Sequence, residues 1–263
     1  MSCVPMADDA GSGRLTEDAV LGGRLRLRQP ERGHRVGHDA ILLAAATPAR
    51  PGEHAVDLGA GVGAAGLALA ARIAGITVTL VEVDAELAAL AAENARRNGL
   101  SARAVVLDVT ASARAFAAAG LPPGNAARVM MNPPFHDPAR QRTSSDPRRR
   151  LAYAAPRALL PRWVKTAARL LRPRGTLSLI WRADGLADVL DALGGGGFGA
   201  ITILPVHGKA GESAIRILVR AEKGSRASLA LLPGLVLNDR AARPTAEAEA
   251  VLRAGRALPL GES

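Results

Sequence analysis

At 263 residues and 48% hydrophobic content the chain can bury one sizeable core, and with aromatics at only 2% that core must be built from alanine, leucine and valine. The formal charge of +10 and a pI near 11.2 fit a polyanionic partner, because basic surfaces gain affinity and association rate from phosphates. A single cysteine, Cys3, excludes a disulfide framework and a thiolate metal site, and the uncharged apolar runs fall well short of the roughly 20 residues of a membrane span.

Residues 1–15 are polar and glycine-rich, carry Asp8 and Asp9, and lack the apolar stretch of a secretory signal. They are expected to be disordered, ahead of a single domain over 16–263 with an N-terminal hairpin and helix extension, in a cytoplasmic protein. Leucine alternates with arginine or glycine over 21–29, the period of a half-exposed strand or hairpin. A helical pattern follows over 40–46 and is stopped by Pro48, with Asp39 placed either as a first-turn carboxylate or as a ligand contact.

From Glu53 onward strands and helices alternate. Strands are expected over 55–58, 77–82, 104–107, 128–131 and 175–181, with helices over 64–73, 85–98, 111–119, 156–171 and 185–193. This order predicts an α/β fold with a doubly wound, mostly parallel sheet. The β-rich runs over 200–206 and 214–221 are joined by a segment too short for a crossover helix, so they must pair antiparallel. Residues 228–232 and 235–237 add a short edge element, and Thr245 opens a last helix that runs to 255.

Two motifs sit at strand ends. The first, Val56-Asp57-Leu58-Gly59-Ala60-Gly61-Val62-Gly63-Ala64-Ala65-Gly66-Leu67, is a strand end, a glycine turn and a helix start. Its glycines allow close approach of backbone to a nucleotide, and Glu82, closing the next strand, is placed to accept ribose hydroxyls. Taken alone it fits a nicotinamide-dependent oxidoreductase, another nucleotide cofactor, a non-catalytic binding module or a bare turn. The second motif is Asn132-Pro133-Pro134-Phe135. Its prolines fix the backbone and donate no hydrogen bonds, so it offers acceptors: the Asn132 side-chain oxygen and the Pro133 carbonyl. Two converging acceptors hold the protons of an amine, and Phe135 offers a flat face for a planar group. Hydride transfer has no use for this arrangement.

The first motif resembles the cofactor loop of class I S-adenosylmethionine-dependent methyltransferases, and the second resembles their amino-methylation motif. With Arg35-Val36-Gly37-His38-Asp39-Ala40-Ile41-Leu42-Leu43, the stretch from Pro205 to Ile217 and the tail around Pro244-Thr245-Ala246-Glu247, the chain is similar to the tRNA1(Val) adenine-37 N6-methyltransferase family over roughly 20–255. The resemblance implies a seven-stranded Rossmann-like sheet whose last strand is antiparallel, and S-adenosylmethionine as cofactor. It implies that Asp57, Gly59 and Gly61 line the methionine end, with Gly63 in the same turn, and that Glu82 binds the ribose. Asp108 would lie near the adenine amino group, and Asp39 is a further candidate contact. Asn132, Pro133 and Phe135 would form the catalytic loop, with Asn132 bordering the cofactor.

The reaction implied is N-methylation of an exocyclic amine, adenine N6 in tRNA first. Guanine N2 in ribosomal RNA, adenine in DNA and a protein glutamine amide use the same chemistry. Arg140, Arg142, Arg148, Arg149 and Arg150 follow the catalytic loop and are candidates for phosphate contact. His136 is an ordinary loop histidine or a proton acceptor. The five histidines are scattered without metal-ligand spacing, so no metal is expected.

Overall fold

The structure is a computed structural model that describes residues 14–31, 36–134 and 156–261. It opens with an antiparallel hairpin of β1 (Leu15–Val20) and β2 (Leu25–Pro30). Leu21, Gly22 and Gly23 between them all have positive φ, so the alternation expected to begin a strand at 21 opens instead with a tight turn. Burial of the Leu21 side chain holds that leucine in a conformation which would otherwise be disfavoured. Leu15 already belongs to β1, and residues 1–13 lie outside the described residues.

Next come α1 (His38–Ala46), β3 (His54–Leu58), α2 (Ala64–Arg72), β4 (Thr77–Glu82), α3 (Ala85–Arg97), β5 (Ala102–Val106), α4 (Ala113–Ala118) and β6 (Ala126–Met131). They are followed by α5 (Pro156–Leu170), β7 (Leu171–Arg182), α6 (Leu186–Gly195), β8 (Phe198–Lys209) and β9 (Ala214–Lys223). The short strands β10 (Ala230–Leu231) and β11 (Leu235–Asn238) and the helix α7 (Ala246–Leu252) complete the order. Side chains start several helices: Asp84 accepts from the Glu86 and Leu87 amides at 2.8 and 3.1 Å, and Ser112 and Thr245 do the same for α4 and α7.

Among the described residues the main sheet has nine strands, in the order β10-β8-β9-β7-β6-β3-β4-β5, with β11 also on β8. β5, β4, β3, β6 and β7 run parallel, and β9 inserts antiparallel between β7 and β8. This is the doubly wound core with an antiparallel last strand. The two extra strands are the short edge element, paired parallel to β8. β7 begins at Leu171, earlier than the expected 175, because Leu171 pairs with Ala126 ahead of an irregularity that Arg174 enters with φ 60°.

Each face of the sheet is covered. On one side α1, α2, α3 and the hairpin bury Leu25, Leu42, Leu67, Leu80 and Met130; on the other α4, α5 and α6 bury Phe116, Leu160, Trp163, Val189 and Leu193. The register Leu58↔Met131, Leu58↔Val81 and Glu82↔Val106 brings the ends of four parallel strands to one edge. Ligands of open parallel sheets bind beyond that edge.

The opposite edge is clamped by charge. The Glu53 carboxylate takes Arg128 Nε and Nη2 at 2.9 and 3.0 Å and Arg172 Nη2 at 3.0 Å, while Arg128 also donates to Thr176 Oγ1. Glu53 and Arg128 are each about 12% exposed, so removing one partner strands a desolvated charge. Glu53→Ala should therefore lower unfolding free energy by about 3 kcal/mol, seen as a fall in the urea midpoint at unchanged m-value.

Candidate active site

The glycine turn leaves β3 at Leu58. Gly59 and Ala60 donate to the Val81 carbonyl at 2.9 Å each, and Gly63 donates to the Ala60 carbonyl at 2.8 Å, so the turn is fastened to β4 and to itself. Gly59, Gly61 and Gly63 have φ of 70°, 55° and 89°, which other residues adopt only under strain. Their surroundings differ. A Cβ on Gly59 would lie 2.5 Å from the Trp163 ring, and one on Gly63 would press on Leu67 and Leu80, whereas at Gly61 nothing lies within 4 Å. Of the three, Gly61 presents its backbone to open space.

Glu82 is the second fastening. Its Oε2 accepts the Gly61 amide at 2.8 Å, and its Oε1 accepts the Val83 and Asp84 amides at 2.8 and 3.0 Å. An ionised carboxylate has about four acceptor sites, and three are used by the backbone. The fourth leaves Glu82 able to take one ribose hydroxyl while it shapes the turn.

Asp57 is turned beneath the site. It is buried, and its Oδ2 accepts the Gly66 amide at 2.8 Å, so a strand carboxylate caps α2, whose own N-cap Gly63 supplies no side chain. Burial raises its pKa from 3.8 to about 7, opposed by the Gly66 hydrogen bond and assisted by the nearby Glu82 charge.

Asn132 follows Met131, the partner of Leu58, and thus stands beside Gly59 at the start of the turn. Its side-chain Oδ1 is buried and has no hydrogen-bond partner among the described residues. Pro133 is buried and Pro134 exposed. The remaining candidates divide. Asp108 is exposed after β5, and its Oδ1 takes the Thr110 amide and hydroxyl at 2.6 and 2.8 Å. Asp39, in the first turn of α1, is bound by Arg216 Nε at 3.0 Å; its observed partner is a cation on β9 rather than the glycine turn. Phe135, His136, Arg140, Arg142, Arg148, Arg149 and Arg150 lie outside the described residues.

Three contributors escape a reading by motif. Asn94, fully buried on α3, exchanges hydrogen bonds with the Arg28 backbone and donates to the Val62 carbonyl at 3.0 Å, tying hairpin, helix and glycine turn together. Its signal was present: an amide among Ala88, Ala91 and Ala95 on a buried helical stripe needs partners. Trp163 reaches Gly59 from α5, and Arg216 reaches Asp39, across 177 residues; neither has a local signature. Among the described residues no three His, Cys, Asp or Glu side chains group as a metal site, and no helix is long and apolar enough to cross a membrane.

The doubly wound sheet with its inserted antiparallel strand, the open glycine turn and an unsatisfied acceptor beside it define an S-adenosylmethionine-dependent methyltransferase domain. Residues 34–195 match the methyltransferase small domain, and the chain belongs to that family. It is 32% identical over 168 residues to tRNA1(Val) (adenine(37)-N6)-methyltransferase of Porphyromonas gingivalis, covering 59% of this chain and 61% of that protein. It is also 32% identical over 145 residues to release factor glutamine methyltransferase of Chlorobaculum tepidum, covering 53% of this chain and 49% of the relative. The chain thus spans about half the length of the curated relatives it matches. A solved Agrobacterium tumefaciens protein, described as a predicted O-methyltransferase, aligns with a TM-score of 0.69 at 32% identity, over 84% of this chain and 98% of that one.

The Asp57 environment makes a pH prediction. Because its folded pKa is raised from 3.8 to about 7, the native state holds a proton that the unfolded chain has already lost. Its stabilising contribution is present below pH 4 and is lost as pH rises to about 7. Asp57→Asn keeps an oxygen for the Gly66 amide without the buried charge. The variant should gain on the native protein between pH 4 and 7, by on the order of 4 kcal/mol, and level off above. Parallel urea melts across that range measure it.

Proposed function

We propose that the chain transfers the methyl group of S-adenosylmethionine to an exocyclic amine, with adenine N6 in tRNA as the substrate. The buried Asn132 Oδ1, unpartnered among the described residues, carries this reading. An orphaned acceptor at the crevice is what an amine N–H requires, whereas a hydroxyl gives up its only proton and leaves such an acceptor unused. The name of one curated relative places the methyl on adenine N6, and that of another names a glutamine as the residue methylated.

When bound, the cofactor supplies an electrophilic methyl on a sulfonium. The chain supplies geometry. Gly61 gives the open face of the turn, and Glu82 uses its remaining acceptor site on the ribose; Asp108 keeps its second oxygen for the adenine end. Asn132 Oδ1 and the Pro133 carbonyl take the two amine protons and aim the nitrogen lone pair along the line of attack. No strong base is needed first, since the proton becomes acidic once nitrogen is alkylated. Phe135 provides the stacking face, for which a base in an RNA loop must be splayed out.

Asn132→Ala should cut single-turnover transfer by about 10²-fold, as for loss of one preorganised polar contact, while S-adenosylhomocysteine still raises the melting temperature. Near-native transfer by this variant would return the Asn-Pro-Pro stretch to a structural turn. On the cofactor side, S-adenosylhomocysteine and not NAD should raise the melting temperature of the native chain. Glu82→Ala should abolish most of that shift, because it removes the ribose acceptor and frees the Gly61 amide together. Mass spectrometry of nucleosides after incubation with total RNA identifies the base.

A further inference from the structure

The charge of the chain is unevenly placed. Between Asp146 and Asp184 it carries ten basic residues and no acidic one. Helix α5 lies inside this stretch, and its placement is fixed at its middle and at its C-terminal end. Trp163 touches Gly59 at the crevice edge, while Leu171, just past the last turn, pairs with Ala126 at the start of β6 and the Arg169 carbonyl accepts from Gly124. The helix therefore runs from the mouth of the site down the side of the sheet.

Its two faces are sharply different. Leu160, Trp163, Val164, Ala167 and Leu170 point into the core, and Arg162 and Lys165 are exposed on the outside. Neither cation has a recorded ion pair among the described residues. Arg169, one turn further, is held over the Phe116 ring at 5.0 Å and donates to the Ala111 carbonyl, which docks α5 against the connection into α4. Thr166 Oγ1 fixes the same junction through the Val109 carbonyl. α4 has no acidic residue and exposes Arg114; Arg103 is exposed nearby, its guanidinium spread over the Ala119 and Gly120 carbonyls. The other flank is acidic: Asp188 and Asp191 of α6 line a shallow groove together with Lys165, which marks the boundary of the cationic face.

We infer that the face formed by α4 and α5, with Arg162 and Lys165 at its centre and Arg114 at its flank, is a track for the phosphodiester backbone of an RNA whose target base enters the crevice. This rests on the reading of the chain as an RNA methyltransferase and adds where the strand lies. The argument is positional. Arg162 adjoins Trp163 at the mouth of the site, and the helix rise of about 1.5 Å per residue carries the cationic face away from it. The carboxylates of α6 repel phosphates and close the alternative route. Arg162 is left with its charge facing outward, where a phosphate can reach it.

The test is fluorescence anisotropy with a labelled RNA stem-loop, titrated with the native chain and with Arg162→Ala/Lys165→Ala across salt. The double variant should bind about tenfold more weakly near physiological salt, and its log–log salt slope should shrink by about 1.4 to 1.8, for two phosphates at roughly 0.7–0.9 each. Its melting shift with S-adenosylhomocysteine should equal that of the native chain, which shows an intact cofactor site. Asp188→Asn/Asp191→Asn should leave RNA affinity equal or higher. Native-like RNA affinity and slope in the Arg162/Lys165 variant, with native RNA binding intact, would overturn the track alone. A native chain that binds no RNA yet methylates a protein glutamine amide would overturn both the track and the RNA reading.

Discussion

The Glu82 carboxylate is the constraint on which the crevice depends. It closes β4, yet its oxygens are spent on three backbone amides, one from the glycine turn after β3 and two from its own strand exit. A turn of glycines has little intrinsic preference for one shape, and Gly59, Gly61 and Gly63 would each sample many conformations if left alone. The carboxylate selects one by giving Gly61 an acceptor, and Asn94 holds the next residue by its carbonyl. Charge-assisted hydrogen bonds of this kind are roughly twice as strong as neutral ones. The carboxylate that closes β4 is thus also the one that builds the surface of the turn.

Strand order then separates two tasks. β3, β4 and β5 end in the glycine turn, Glu82 and Asp108, and across the shared border β6 ends in Asn132. The border is one residue wide: Asn132 stands beside Gly59, and Trp163 fills the space that a Gly59 side chain would need. The glycine turn, the Asn-Pro-Pro stretch and the middle of α5 therefore meet at a single glycine, so a shift in any one of them is felt by the other two.

Much of this was legible in the sequence, because the alternation of buried strands with alanine-rich helices is dictated by local periodicity, and the antiparallel β8–β9 pair by a connection too short for anything else. Glu82 and Asn132 could be picked out because they close strands beside recognisable turns. What could not be read depends on distance. Asp39 stands in the first turn of α1, where a carboxylate suits a cofactor contact as well as a helix terminus, and only the folded chain shows Arg216 beside it. The hairpin was misplaced by a few residues because Leu21 adopts a positive φ that its side chain disfavours and its burial enforces. Asp57 satisfied the motif, but its side chain turns beneath the site toward Gly66, a direction that spacing along a strand does not encode.

The two carboxylates and the amide at these strand ends illustrate one rule with opposite outcomes. A buried polar atom without a partner costs about 1–3 kcal/mol, and the fold avoids that cost at Glu82 by giving it three donors and at Asp57 by giving it Gly66 and a raised pKa. At Asn132 Oδ1 no such relief is present among the described residues. A structural turn would gain by replacing that side chain or feeding it a backbone amide, and the two prolines that follow remove the nearest amides able to do so. The prolines thus withhold two donors from this acceptor. On the proposed reading such a group is most strongly satisfied when an amine N–H acquires positive character, so a contact made in both states comes to favour the transition state.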